Sequence, residues 1–240
     1  MRILGNAVPG IKILAALKWF QKNKKEIFDA REKEDYETER KYILKSTSDW
    51  GKNLCRELGI EIDVEGRENL PDSGPAVFIA NHQGYADIPV MCAVLDRFQF
   101  GFVAKEELRR IPLYGKAILD IRSVLMNRDD TKASVRSIFE GIDLIKKGFS
   151  LCIFPEGTRS RSEEMGEFHK GSFKLALKPK VPVIPVSING TYRVFEATGK
   201  ITGTKVKVVI HPAIQTANLD REQQNRLPEQ VEETVRNGIK

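Results

Sequence analysis

Apolar residues in this chain gather into short unbroken runs, and polar residues with useful chemistry come directly after most of them. The runs are Ala76-Val77-Phe78-Ile79-Ala80, Gly101-Phe102-Val103-Ala104, Ser123-Val124-Leu125-Met126 and Phe149-Ser150-Leu151-Cys152-Ile153. Short apolar stretches bounded by turn residues predict buried strands. A fifth, Val181-Pro182-Val183-Ile184-Pro185-Val186, is interrupted by prolines, and 205–210 alternates as a late strand. Helical spacing falls between them. Residues 131–147 place Val135, Ile138, Phe139, Ile142 and Ile145 on one side, and 36–58 carries Tyr42, Ile43, Leu44, Trp50, Leu54 and Leu58 before Gly59 ends the pattern. Pro228 is expected to begin a final polar helix. Strands alternating with helices predict an α/β fold, a mixed central sheet flanked by helices.

In open α/β sheets ligands bind beyond the carboxyl ends of the strands, so the residues immediately after each run are the candidates for chemistry. After the first come Asn81-His82-Gln83-Gly84-Tyr85-Ala86-Asp87. His82 and Asp87 would point about 140° apart on one helix, so they meet only if the chain turns between them, and Gly84 supplies a turn. Asp87 before Ile88-Pro89 reads as a helix N-cap with proline in the first turn. The plain alternative is that Asp87 only caps its helix and His82 is a loop histidine. The second and third runs lead into Lys105 and Arg128, and Phe154-Pro155-Glu156-Gly157-Thr158-Arg159-Ser160 comes after the apolar run 149–153. One base and several cations on one rim describe a pocket for a phosphorylated substrate with a hydroxyl to activate.

Other chemistries are poorly supplied. The three histidines, His82, His169 and His211, and the three cysteines, Cys55, Cys92 and Cys152, lack zinc spacing, so no metal is expected. The cysteines read as buried free thiols, consistent with a reducing compartment. No nucleotide phosphate loop is present. At 240 residues and 41% hydrophobic content the chain can build one substantial core.

The formal charge of +6 is less informative than its placement. The first 25 residues carry only cations, and 26–41 turns acidic. Around 11–25, Ile13, Leu14, Leu17 and Phe20 fall within about 120° on a helical wheel, with Lys12, Lys18 and Lys22 among the nearby cations. This basic amphipathic pattern suits an anionic membrane surface, and its apolar runs are too short to span one. Packing of the same arc on the main domain is the competing reading. The chain lacks a basic stripe interleaved with aromatics, so nucleic acid is not an expected partner.

These blocks resemble the glycerolipid acyltransferases, most closely the 1-acylglycerol-3-phosphate acyltransferases. The family's His-x4-Asp block matches 81–87, with Gly84 where serine is commoner; its Glu-Gly-Thr-Arg block matches 154–160; its proline-flanked strand matches 181–186. Lys105-Glu106-Glu107-Leu108 and Pro112-Leu113-Tyr114-Gly115 are similar to its intermediate segment, and the arginine-ended block at 123–128 is the loosest match. The resemblance implies acyl transfer from a thioester, on acyl carrier protein or coenzyme A, to the 2-hydroxyl of lysophosphatidic acid, with no cofactor. His82 would be the base and Asp87 its orienting partner. Arg159, Arg128 and Lys105 would hold phosphate; Gly157 and nearby amides would assist the oxyanion; Thr158 belongs to the same substrate-binding block. Glu156 either binds a glycerol hydroxyl or orients Arg159. Glycerol 3-phosphate or another lysophospholipid stays open as acceptor, and a non-catalytic basic membrane module stays open as another class. The implied organisation is a helical membrane-association arm at 1–58, peripheral on the cytoplasmic face, and an acyltransferase domain at 59–240.

Overall fold

The apolar runs become neighbouring strands of one seven-stranded sheet in a computed structural model that describes residues 21–239. The strands are β1 (Ile60–Glu65), β2 (Val77–Ala80), β3 (Phe100–Lys105), β4 (Val124–Met126), β5 (Ser150–Ile153), β6 (Val183–Asn189) and β7 (Thr204–Ile210). Their order is β1-β7-β6-β2-β5-β3-β4. All neighbours run parallel except β6 and β7. The sheet is therefore mixed, as its sequence pattern predicts. β1 lies in no apolar run: only Ile60 is buried along it and the other positions alternate between exposed and partly buried, as suits an edge.

Central strands read as continuous apolar runs because both their faces are covered. Every residue of β2 and β5 is buried, and Phe78 packs edge-on against Phe98 and at a tilt against Phe100, with ring centroids 5.6 and 5.7 Å away. The helices are α1 (Lys24–Glu32), α2 (Tyr36–Glu57), α3 (Asp87–Val94), α4 (Tyr114–Asp120), α5 (Thr131–Lys146), α6 (Lys174–Leu177) and α7 (Arg221–Gly238). α2 and α3 touch almost backbone to backbone. A Cβ at Gly51 would lie 2.7 Å from Ala93 N, Cys92 Cβ and Pro89 O, so only glycine fits there.

α1 and α2 share the core with the sheet. Ile27, Ile43, Trp50, Leu54 and Cys55 are all buried in it. A buried carboxylate fastens them: Glu39 is fully buried and accepts hydrogen bonds from Arg31 Nε at 2.7 Å and from Arg122 Nε and Nη2 at 2.7 and 2.8 Å. Arg31 Nη2 also donates to the Asp120 carbonyl at 2.6 Å. Ion pairing of this kind survives burial only when nearly every lone pair is matched. Of the residues expected at a membrane, Lys12, Ile13, Leu14, Leu17, Lys18 and Phe20 lie outside the described residues, and Lys22 lies within them. Among the described residues no helix is long and apolar enough to cross a membrane.

Two helices differ from expectation. On α5 the buried residues are Ser137, Gly141, Ile142, Leu144 and Ile145, whereas Val135 and Phe139 are 47% and 59% exposed. At about 100° per residue the buried arc centres near Gly141 and Ile145, and the small residues on it let the helix sit close to the sheet. Val135 falls just beyond the edge of that arc and Phe139 further round, toward the solvent side. The last helix starts well before Pro228: Asp220 accepts from Gln223 N and Gln223 reaches back to Asp220 N, a reciprocal capping box. Pro228 sits inside α7, where it removes one helical hydrogen bond. Burial of Leu227, Pro228, Val231 and Val235 offsets that loss.

Candidate active site

Because β2, β3, β4, β5 and β6 are parallel, their carboxyl ends share one rim. His82 leaves β2, Lys105 ends β3, Arg128 comes after β4, the segment 154–159 leaves β5, and Thr191 comes after β6. The loops from β2 and β5 run side by side. Ser160 N donates to the His82 carbonyl at 2.8 Å and Arg161 N to that of Gln83 at 3.1 Å. Asn81 holds the first loop against β6 through both amide atoms, accepting from Ile188 N at 2.7 Å and donating to Ile188 O at 2.8 Å.

His82 and Asp87 meet, as the turn at Gly84 allows. His82 Nδ1 lies 2.6 Å from Asp87 Oδ2. A carboxylate accepts only, so Nδ1 carries a proton, and in the neutral imidazole the free lone pair is therefore on Nε2. The ring stacks on Phe154, centroids 4.2 Å apart and planes 17° apart. Asp87 does not cap its helix: α3 has no side-chain cap. Its carboxylate instead turns back into the loop, where Oδ2 also accepts from Gln83 N at 2.7 Å and Gly84 N at 2.9 Å, and Oδ1 accepts from Thr191 Oγ1. Two loop amides and a hydroxyl thus fix a fully buried anion, and the anion fixes the imidazole.

Glu156 is bound to the backbone. It accepts from His82 N at 2.6 Å and Gly166 N at 2.8 Å, and burial holds its carboxyl above the ordinary range against the pull of those amides. It does not orient Arg159. That carboxylate is Glu196, whose Oε1 accepts from Arg159 Nη1 at 2.8 Å and from Tyr85 N at 2.8 Å, while the guanidinium lies 3.6 Å from the Tyr85 ring centroid. Arg128 Nη1 donates to the carbonyl of Gly157, a residue whose φ of 76° favours glycine, and burial pulls the Arg128 guanidinium below its ordinary value. Lys105 and Thr158 are exposed. Lys105 makes no ion pair with the described residues.

Thr191, Glu196, Tyr85 and Phe154 are the parts of this site that the sequence pattern does not single out. Thr191 comes after Asn189-Gly190, directly beyond β6, so the same strand-end rule reaches it once the run is extended past Val186. Tyr85 lies within the 81–87 block without a role of its own there, and Glu196 carries no local signal; only the fold brings them to Arg159.

Burial raises all three thiols, Cys55 to about 12, so none supplies a thiolate nucleophile near neutrality. His211 lies apart from the rim. It is 2.7 Å from Ser187 Oγ, and burial lowers its pKa. Among the described residues no group of three His, Cys, Asp or Glu side chains could hold a metal.

A mixed α/β sheet whose rim carries a carboxylate-held histidine together with Lys105, Arg128 and Arg159 is an arrangement suited to an enzyme. The profile of the family described as Acyltransferase matches residues 61–189, and the chain belongs to that family. It is 36% identical over 163 residues to the Arabidopsis thaliana 1-acyl-sn-glycerol-3-phosphate acyltransferase LPAT1, chloroplastic, covering 67% of this chain and 45% of that protein. It is 29% identical over 178 residues to a 1-acyl-sn-glycerol-3-phosphate acyltransferase of Borreliella burgdorferi, covering 74% and 71%. The crystal structure of the 1-acyl-sn-glycerophosphate (LPA) acyltransferase PlsC from Thermotoga maritima superposes with a TM-score of 0.74 at 32% identity, covering 100% of this chain and 96% of that one. The chain spans about half the length of the plant and algal relatives it matches.

Proposed function

We propose that this protein transfers a fatty acyl group from a thioester to the 2-hydroxyl of 1-acylglycerol 3-phosphate, giving phosphatidic acid and a free thiol. The observation that carries this reading is His82, tethered through Nδ1 to Asp87, on the same rim as Lys105 and Arg159. His82 Nε2 takes the hydroxyl proton as the oxygen attacks the thioester carbonyl, and Asp87 stabilises the imidazolium that forms. Collapse of the tetrahedral intermediate breaks the carbon–sulfur bond, and the imidazolium returns its proton to the thiolate. Backbone amides near Gly157 are the candidates for the developing oxyanion. Arg159 and Lys105 receive the acceptor phosphate, the arginine through its planar fork. Arg128 shapes this pocket through Gly157. Glu156 holds the His82 backbone, and Thr158 borders the acceptor.

The donor is acyl carrier protein or coenzyme A, neither of which the site distinguishes. Residues 11–22, with Lys12, Ile13, Leu14, Leu17, Lys18, Phe20 and Lys22, are the proposed contact with the cytoplasmic face of an anionic membrane. The test is a transfer assay crossing both thioesters with lysophosphatidic acid, glycerol 3-phosphate and lysophosphatidylcholine. Lysophosphatidic acid is expected to be acylated fastest, and Arg159→Ala to raise its KM. Thioester cleavage at one rate with and without any acceptor would make the protein a hydrolase. Vesicle sedimentation of a variant lacking residues 1–20 tests the membrane contact; unchanged sedimentation would remove it.

A further inference from the structure

Glu196 reaches the rim from the connection between β6 and β7 and ties three parts of the site together. Its side chain is only 3% exposed. Oε1 accepts from both Arg159 Nη1 and Tyr85 N, and the same guanidinium lies over the Tyr85 ring. An arginine side chain has many rotamers to lose, so an arginine held on a ring face by a buried carboxylate has lost them before any ligand arrives. Only one of its nitrogens is committed to Glu196, which leaves the rest of the fork for an anion.

The space for this carboxylate comes from Gly84. A Cβ at position 84 would stand 2.6 Å from Glu196 Oε2 and 2.9 Å from its carboxyl carbon. Any side chain at position 84 would push Glu196 aside. The glycine in the histidine loop and the glutamate beyond β6, 112 residues further along the sequence, therefore act as one unit.

We infer that Glu196 is a positioning residue for acceptor binding: with Tyr85 it presets Arg159, and Gly84 is glycine because Glu196 must occupy the space beside it. The inference rests on Arg159 being the phosphate contact, and different variants test the two. Steady-state titration of lysophosphatidic acid at saturating thioester is the measurement, with thermal melts alongside. Arg159→Ala tests the contact itself. Glu196→Ala is expected to raise acceptor KM about tenfold, the scale of one charge-assisted hydrogen bond, with kcat within about twofold. Glu196→Gln keeps an oxygen for Arg159 and Tyr85 and is expected to restore most of the affinity. Gly84→Ala is expected to raise KM in the wild-type background and to add nothing in the Glu196→Ala background, as coupled neighbours do. If Arg159→Ala raises KM while Glu196→Ala or Gly84→Ala leaves it unchanged, Glu196 has no positioning role. Additive effects of Gly84→Ala and Glu196→Ala also overturn the inference. An unchanged KM in Arg159→Ala overturns the phosphate contact instead. Should Glu196→Ala not fold, Gly84→Ala alone still tests the inference, because an unchanged KM in that variant overturns the positioning role.

Discussion

Glu39 and Asp87 are both fully buried carboxylates, yet they do opposite work. Glu39 is closed on two arginines that join α1 and α2 to the segment before β4, and every partner is another part of the fold. Asp87 is held by two loop amides and Thr191, and its remaining bond goes to a histidine whose other nitrogen is left over. The same costly device, a desolvated anion, therefore ends in one case at a structural clip and in the other at an oriented imidazole. What separates them is whether the hydrogen-bond chain terminates inside the protein.

The comparison predicts that damage at the two carboxylates separates cleanly. His82→Ala removes the end of the open chain and is expected to lower turnover by about 10² to 10⁴ while the protein stays folded, with a melting temperature lowered by loss of the Phe154 stacking and the Asp87 bond. A folded His82→Ala with wild-type turnover would break the assignment of the base. Glu39→Ala leaves two arginines, each only about a fifth exposed, facing an empty site. It is expected to cost about 3 kcal/mol of stability, the low end for breaking a buried pair. Its activity per folded molecule should stay near wild type. Denaturant titration with activity measured below the transition checks both halves, and a large kcat loss at unchanged stability would erase the distinction.

Asp87→Asn lies between them and sharpens the contrast. The carboxylate does not cap α3, so the amide preserves no cap, and one of its two atoms must present N–H where the aspartate accepts. We expect turnover reduced by about 10² or more, from loss of the Nδ1–H tautomer, and stability reduced by about 1 to 3 kcal/mol. Amide chemistry predicts both losses together. A variant that lost stability alone would move Asp87 into the same class as Glu39.

Much of this is legible in the sequence because the rim is made of strand ends, and strand ends are marked by short apolar runs. His82, Lys105, Arg128 and Glu156 to Arg159 fall where the runs stop, and the parallel sheet gathers those stops on one side. Edge strand β1 escapes notice because alternation with one exposed face is a weak signal over six residues. Val135 and Phe139 are misplaced because an apolar arc does not reveal which of its margins meets the sheet. The partner of Arg159 is out of reach for a different reason. Glu156 is three residues away and Glu196 is 37, and nearness in sequence favours the wrong carboxylate. Only the β6 crossover decides between them.

Glu156 supplies the smallest expected effect and a test of sign. Its two oxygens accept from His82 N and Gly166 N, so Glu156→Gln turns one of those contacts into N–H against N–H, a loss of about 1 to 3 kcal/mol. Burial raises its folded pKa above its unfolded value, so the folded chain holds more protons across the interval between the two. Stability from this position is then greatest below the ordinary carboxyl value of 4.5 and declines as pH rises through the raised folded value. Glutamine has no such slope. The advantage of wild type over Glu156→Gln should therefore be larger at pH 4 than at pH 7, measured by urea unfolding at both. An advantage that grows with pH would mean that the two amides outweigh burial and that the ionised carboxylate, like that of Glu39, is the form this fold selects.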